Sequence, residues 1–525
     1  MMGECRPPET PARERQDVLL GMRTLLAGLL LLGAAGQPLA GQDFLVRHAD
    51  IFDGTGTAPR RGDVRVRAGR IAAVGDLTPA PGEAVVDAAG LALAPGFIDT
   101  HSHADEDLGE YPDALGAVSQ GITTIVGGQD GSSPYPLAEF LAERERHPAA
   151  VNLAMYVGHG TLRDLVLGRD FRRVSTPEEV GRMKLLLRRE LAAGALGLST
   201  GLEYDPGIFS APSEVIDLAR VTAAAGGRYI SHVRSEDRHF WAAIEEIITI
   251  GREARLPVQI SHTKLAMRSL WGGADSLVRR LEAARREGID ITGDIYPYTY
   301  WHSTLTVLFP DRDYRDRAAA EFAVTEVSTP EGLLLGVYRP NPEFSGRTLA
   351  DVARELGLDP ADALMELIRR AEVARAEGVE GVESVIGTSM IEPDIERLMQ
   401  WPHMNFCTDG ALAGRHPRGF GSYPRILGRY VRERGVLGLA EAIHKATGLA
   451  ADHMGLTSRG RIVPGQAADL VLFDPATVQD RATPAEPQAV SVGIRRVWVN
   501  GQAVFADGAA TAARPGRVLR REPAR

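Results

Sequence analysis

Gly96–His103 reads GFIDTHSH, an apolar run bounded by glycine that passes straight into a polar end carrying two histidines. Seven further runs repeat that form: GITTIVGGQD (121–130), NLAMYVGHG (152–160), GALGLSTGLEY (194–204), GRYISHVRSED (227–237), PVQISHTK (257–264), IDITGDIYPY (289–298) and MNFCTDG (404–410). Short, nearly unbroken apolar runs separated by helical stretches are the pattern of parallel strands covered on both faces. The clearest helix is Thr176–Ala193, where Thr176 caps, Pro177 fits the first turn and Glu179 completes a capping box. Eight such strands predict an α/β fold of the (β/α)8 TIM-barrel class, because closure brings every polar strand end to one face.

Outside this region, residues 43–94 (FLVRHADIFDG, DVRVRAGRIAAVG, AVVDAAGLALAPG) and 458–515 (GRIVPGQAADLVLFD, GIRRVWVNGQAVFADG) alternate and turn at glycines. They predict one small β-sandwich assembled from both chain ends, with the barrel over 95–457. An insertion of about 309–392 separates strands seven and eight, with its own helical pattern at 349–378, and is placed to act as a lid. Residues 1–40 read as a targeting segment. Met22-Arg23 precedes the apolar run Thr24–Ala35, which is too short to span a bilayer, and small residues allow cleavage after Gly36 or Ala40. The expectation is an exported protein, periplasmic or secreted, starting at Met22, with no stable membrane insertion once the segment is removed.

Composition narrows the partners. A net charge of −10 without a basic stripe argues against nucleic acid and leaves a small-molecule substrate as the expected partner. Two cysteines, Cys5 and Cys407, cannot build a disulfide framework or a cysteine zinc cluster. Nothing in the residues indicates an oligomeric state.

Four histidines stand at strand ends: His101 and His103 after strand one, His232 after strand five, His262 after strand six. His101 and His103, two apart, share one side of their strand, and His232 and His262 occupy matching places on neighbouring strands, so in a barrel they converge. Any one alone would be an ordinary core histidine; the set, with Asp409 at the end of strand eight, reads as a site for Zn²⁺ or a related divalent ion. Lys264 lies on the same side as His262. The chain has three lysines (Lys184, Lys264, Lys445) among 59 basic residues, so a lysine here suggests that a compact ammonium is wanted, suited to a substrate carboxylate. His159, in VGHG, either binds substrate or finishes a strand.

PGFIDTHSHAD (95–105), YISHVRSED, ISHTK, DIYPY and CTDG followed by HPRGFGSYPRILGRY (416–430) together resemble the amidohydrolase superfamily, and within it the N-acyl-D-amino-acid deacylases, or D-aminoacylases. The resemblance implies a hydrolytic metalloenzyme with one or two zinc ions, cleaving the amide of an N-acyl-D-amino acid. It implies Asp409 as general base, Arg418 as the grip on the substrate's free carboxylate, and Tyr204 and Tyr296 as pocket residues. Two departures stand out. A carboxylated lysine on strand four is excluded, since no lysine lies there. Where the deacylases place a cysteine after strand two, this chain has Asp130, and Glu203 adds a carboxylate after strand four. Glu203 is favoured as the anionic ligand over Asp130, because strand four is where related enzymes place their bridging group and because Asp130 lies in a glycine-rich turn. Three other functions stay open: a dipeptidase acting on a C-terminal D-residue, a non-catalytic ligand-binding barrel, and a cyclic-amide hydrolase, the last disfavoured by the missing lysine.

Overall fold

The computed structural model describes residues 43–522; the targeting segment expected at 1–40 lies outside them. Eight parallel strands run in chain order: β1 (Phe97–Asp99), β2 (Ile122–Gly127), β3 (Asn152–Met155, continued by Val157–Gly158), β4 (Gly197–Gly201), β5 (Arg228–His232), β6 (Val258–Ile260), β7 (Ile291–Ile295) and β8 (Met404–Phe406). Strand β3 changes partner along its length: its first part pairs with β2 and its last two residues with β4. The ring closes past the end of β8, where the Asp409 N–H donates to the His101 carbonyl at 2.8 Å and the His103 N–H to that of Gly410 at 3.0 Å. These strands are almost wholly buried, as expected where helices cover one face and side chains fill the interior of the other.

The covering helices obey their sequence signals. Pro177–Ala192 begins at Thr176, whose hydroxyl accepts from the Glu179 N–H at 3.3 Å, while the Glu179 carboxylate accepts from the Thr176 N–H at 2.8 Å. Its Met183, Leu187 and Leu191, spaced four apart, form the buried stripe that docks it. The run at 349–378 folds as two helices, Leu349–Leu356 and Pro360–Ala376, broken at Gly357 in the left-handed region (φ +66°).

Both chain ends enter one nine-stranded sheet. Its pivot is Ala92–Pro95, which pairs on one side with Phe44–Ile51 and on the other with Leu470–Phe473. The sheet folds over on itself: Phe44 stacks on Trp498 with ring centroids 5.1 Å apart, although two strands separate theirs in the hydrogen-bonded order. Between the layers lie Val46, Ile51, Val64, Leu93, Leu470 and Leu472, all buried. Asp469 ties this sheet to the barrel: it accepts from the Asn500 N–H at 2.7 Å and from the Asn152 amide at 3.0 Å, and pairs with Arg459.

The insertion starts earlier than the sequence indicated. Tyr300–Ser303, Glu383–Thr388 and Leu333–Tyr338 form a three-stranded antiparallel sheet, so it begins at Tyr300 rather than Phe309. Its partner strand is far along the chain, which a local reading does not detect. Trp301 lies hard against Gly387, where a Cβ would sit 2.3 Å from the indole, and its ring nitrogen donates to Ser389 at 2.7 Å.

Lys445, on the helix Leu439–Ala446, is 1% exposed and donates to the carbonyls of Trp401 at 2.6 Å and Met404 at 3.3 Å. Burial pushes its ammonium down to about 8 from 10.5, against a small opposing pull from Glu441. Between those values the unfolded chain binds a proton that the folded chain does not, so this group's contribution makes the fold more stable as pH rises. Unfolding in denaturant at pH 7.5 and pH 10 is expected to show wild type gaining stability relative to Lys445→Met, by up to about 3 kcal/mol. An equal difference at both pH values would refute this.

Candidate metal centre

The strand ends deliver their side chains to one point. Donor atoms of His101, Asp130, His262 and Asp409 lie within 4.8 Å of one another, and those of His232, Glu236 and His262 form an adjoining group. His101 Nε2 stands 3.4 Å from Asp130 and 3.5 Å from Asp409. His103 Nε2 completes the cluster, 3.4 Å from Asp130 and 3.3 Å from Asp409. His262 Nε2 faces Asp130 at 3.5 Å and His232 Nδ1 at 3.1 Å. Three of these residues hold backbone angles that L side chains rarely adopt: Asp130 (φ +52°), His262 (φ +35°) and Asp409 (φ +51°). Strain of this kind persists where surrounding structure enforces it, and it concentrates at functional sites. Here the enforcing contacts are visible. Asp294 accepts the His262 N–H at 2.5 Å, Asp99 accepts the Thr408 N–H at 2.8 Å, and Asp105 accepts the Gly128 N–H at 3.2 Å.

The cluster suits a divalent cation. Both ring nitrogens of His101 and one oxygen of Asp130 are buried without a hydrogen-bond partner. The carboxylates also demand positive charge at the centre. Against burial and the adjacent Lys264, which push it down, Asp409, Glu236 and Asp130 raise His262 to about 10. Burial likewise opposes the shift of His103, yet Asp130 and Asp409 hold it well above 6.5. A cation among imidazole and carboxylate donors satisfies the same demand.

Glu203 does not face this point. Its carboxylate lies 2.8 Å from His232 Nε2, on the ring edge away from the Nδ1 that faces His262. The turn after strand two presses on strand four here, since a Cβ on Gly201 would lie 2.1 Å from the Asp130 carbonyl, and Asp130 takes the inner position. The geometry therefore reverses the sequence preference between the two carboxylates. Glu236 stands to His262 as Glu203 does to His232: its carboxylate is 3.1 Å from His262 Nδ1. The sequence reading missed Glu236, although it stands four residues after His232 in the quoted HVRSED stretch.

Lys264 is also bonded to Glu236, at 2.5 Å. Arg418 pairs with Asp409 at 2.6 Å and lies over the Tyr296 ring, 5.0 Å from its centroid. Tyr204 packs its ring 4.4 Å from that of His232. His159 is not part of this constellation. It is fully buried, bonded to Glu214 at 2.7 Å beside the Arg163–Glu214 pair, so its strand end turns into a packed polar cluster. His302, brought by the insertion, lines the cavity above the centre with Glu203, Tyr204, His232, Lys264 and Arg418.

Known proteins carry the same pattern. A match to the amidohydrolase family covers residues 84–505. The D-aminoacylase of Alcaligenes xylosoxydans xylosoxydans is 38% identical over 507 residues, covering 92% of this chain and 98% of that protein. The N-acyl-D-aspartate deacylase of the same organism is 39% identical, covering 91% and 95%. The crystal structure of N-acyl-D-glutamate deacylase from Bordetella bronchiseptica, complexed with zinc and a phosphonate mimic of the tetrahedral intermediate, superposes with a TM-score of 0.81 at 37% identity, over 91% of this chain and all of that one. With its eight-stranded barrel, its sheet from both chain ends and its strand-end histidines, the chain belongs to the amidohydrolase family, among the N-acyl-D-amino-acid deacylases.

Proposed function

We propose that this chain hydrolyses the amide bond of N-acyl-D-amino acids with zinc as cofactor, releasing a carboxylate and a free D-amino acid. The observation that carries the reading is Asp409, an ionised carboxylate set between the His101–His103 pair and Arg418 at the floor of the cavity. Burial alone would push its carboxyl up; Arg418 and His262, with the hydrogen bond from His103, hold it well below the usual range. His101, Asp130, His262 and Asp409, with His103 and His232 beside them, are the residues that would hold one or two ions. A divalent ion held there would supply an acidified water and polarisation of the scissile carbonyl. Asp409 accepts the proton of the attacking water and delivers it to the amine nitrogen as the C–N bond breaks. Arg418 presents a planar fork suited to the substrate's α-carboxylate, with Lys264 as a second cation and Tyr204 and Tyr296 as walls.

A second reading changes the acyl group to an amino acid. Glu203 and Asp237 add carboxylates to the cavity wall that an ammonium would satisfy, which favours a dipeptide with a C-terminal D-residue. One screen tests both: N-acetyl-D-amino acids, their L-enantiomers and L-Xaa-D-Xaa dipeptides, before and after chelation and zinc repletion. The expected result is hydrolysis of the D-compounds, lost on chelation and restored by zinc. Hydrolysis of the L-series alone would overturn the D-specific reading, and hydrolysis of nothing would favour a binding barrel. The proposal extends to export, supported by the Met22–Ala40 pattern. N-terminal sequencing of protein expressed from Met22 is expected to begin after Gly36 or Ala40. Among the described residues no helix is long and apolar enough to cross a membrane.

A further inference from the structure

Resting on the deacylase reading, we infer that the substrate's side chain is neutral and apolar, and that the insertion between β7 and β8 sets this preference. The cavity above the metal centre is lined both by barrel strand ends and by the insertion. One wall comes entirely from the insertion: Trp301, Val307, Leu308 and Val327. The rest of the lining includes the carboxylates of Glu203, Glu236 and Asp237.

An N-acyl-D-aspartate or N-acyl-D-glutamate carries two carboxylates. The first takes Arg418, with Lys264 as its second cation. The second needs a third cation, and the described lining offers none. Apart from the imidazoles that would hold the metal, the cationic side chains of the lining are these two, and each also meets a carboxylate, Glu236 at 2.5 Å and Asp409 at 2.6 Å. His302 is not a substitute: burial first, then Arg418, pushes its ring down to about 4, so it is neutral at neutral pH. The positive charge of a bound cation is offset by Asp130 and Asp409 before a substrate arrives. An acidic side chain would therefore leave water to face either an apolar wall or a row of like charges, both unfavourable for an unpaired carboxylate. An apolar side chain meets the insertion wall directly. Rejection of this kind, by a buried charge left without a partner, discriminates far more strongly than a change of one methylene.

The test is kcat/KM of the zinc enzyme on N-acetyl-D-leucine, -methionine and -phenylalanine against N-acetyl-D-aspartate and -glutamate. The apolar set is expected to exceed the acidic set by at least ~100-fold. Ratios within about tenfold, or a preference for the acidic pair, would overturn the inference while leaving the deacylase reading intact. Hydrolysis of none of the five would bring down both. Val307→Lys places a free ammonium on the partly exposed position of that wall and is expected to lower the apolar-to-acidic ratio at least ~10-fold, with Val307→Gln as the uncharged control. An unchanged ratio in a folded Val307→Lys enzyme would remove the wall from its assigned role. If that variant does not fold, the wild-type comparison decides the specificity.

Discussion

Asp409→Asn is expected to lower kcat about 10³-fold while the protein folds and still binds zinc. The substitution keeps the shape of the side chain and removes its capacity to take a proton. It also removes the negative charge opposite Arg418, which stands 2.6 Å away. His101, Asp130 and His262 remain as a donor set, so metal should persist at reduced affinity. Single-turnover kinetics with metal analysis on the same sample separates the two effects. A variant retaining a tenth or more of wild-type kcat would show that the proton goes elsewhere.

The second large effect distinguishes Asp130 from Glu203. Asp130 reaches three histidines at the centre, at 3.4, 3.4 and 3.5 Å, whereas Glu203 reaches only the outer nitrogen of His232. Asp130→Asn is therefore expected to lose zinc on dialysis. Glu203→Gln should keep its stoichiometry and bind zinc about 10- to 100-fold more weakly, as when a carboxylate bracing a liganding imidazole is removed. Asp130→Cys, which offers a thiolate donor at the same place, should retain metal. Chelator competition on the three proteins gives the affinities. Zinc lost from Glu203→Gln and kept by Asp130→Asn would reverse the assignment.

That reversal marks the boundary between what the chain discloses in one dimension and what it does not. The eight barrel strands were legible because strands covered on both faces must be apolar throughout and can turn polar only where they emerge. His101, His103, His232 and His262 were legible for the same reason, since each occupies such an emerging end. The choice between Asp130 and Glu203 was not legible. It depends on Asp130 adopting φ +52° in its turn and on that turn pressing on β4 at Gly201. His159 ends an equally convincing run, and only its bond to Glu214, fifty-five residues on, takes it out of the set. His302 and Trp301 escaped because Tyr300–Ser303 is a four-residue strand whose partner comes after the whole insertion.

The pivot strand Ala92–Pro95 has a further consequence, for the order in which the protein is made. It is hydrogen-bonded on one side to a strand synthesised before it and on the other to Leu470–Phe473, synthesised only after the whole barrel. Until then the nascent chain carries an open strand edge beside a half-covered apolar layer, and the Asn152–Asp469–Asn500 latch cannot close. Completion of the fold thus waits until Asn500 has been made. A chain shortened before Leu470 should accumulate as an aggregate rather than as a smaller working barrel, and a chain bound for export would remain unfinished, and so threadable, for most of its synthesis.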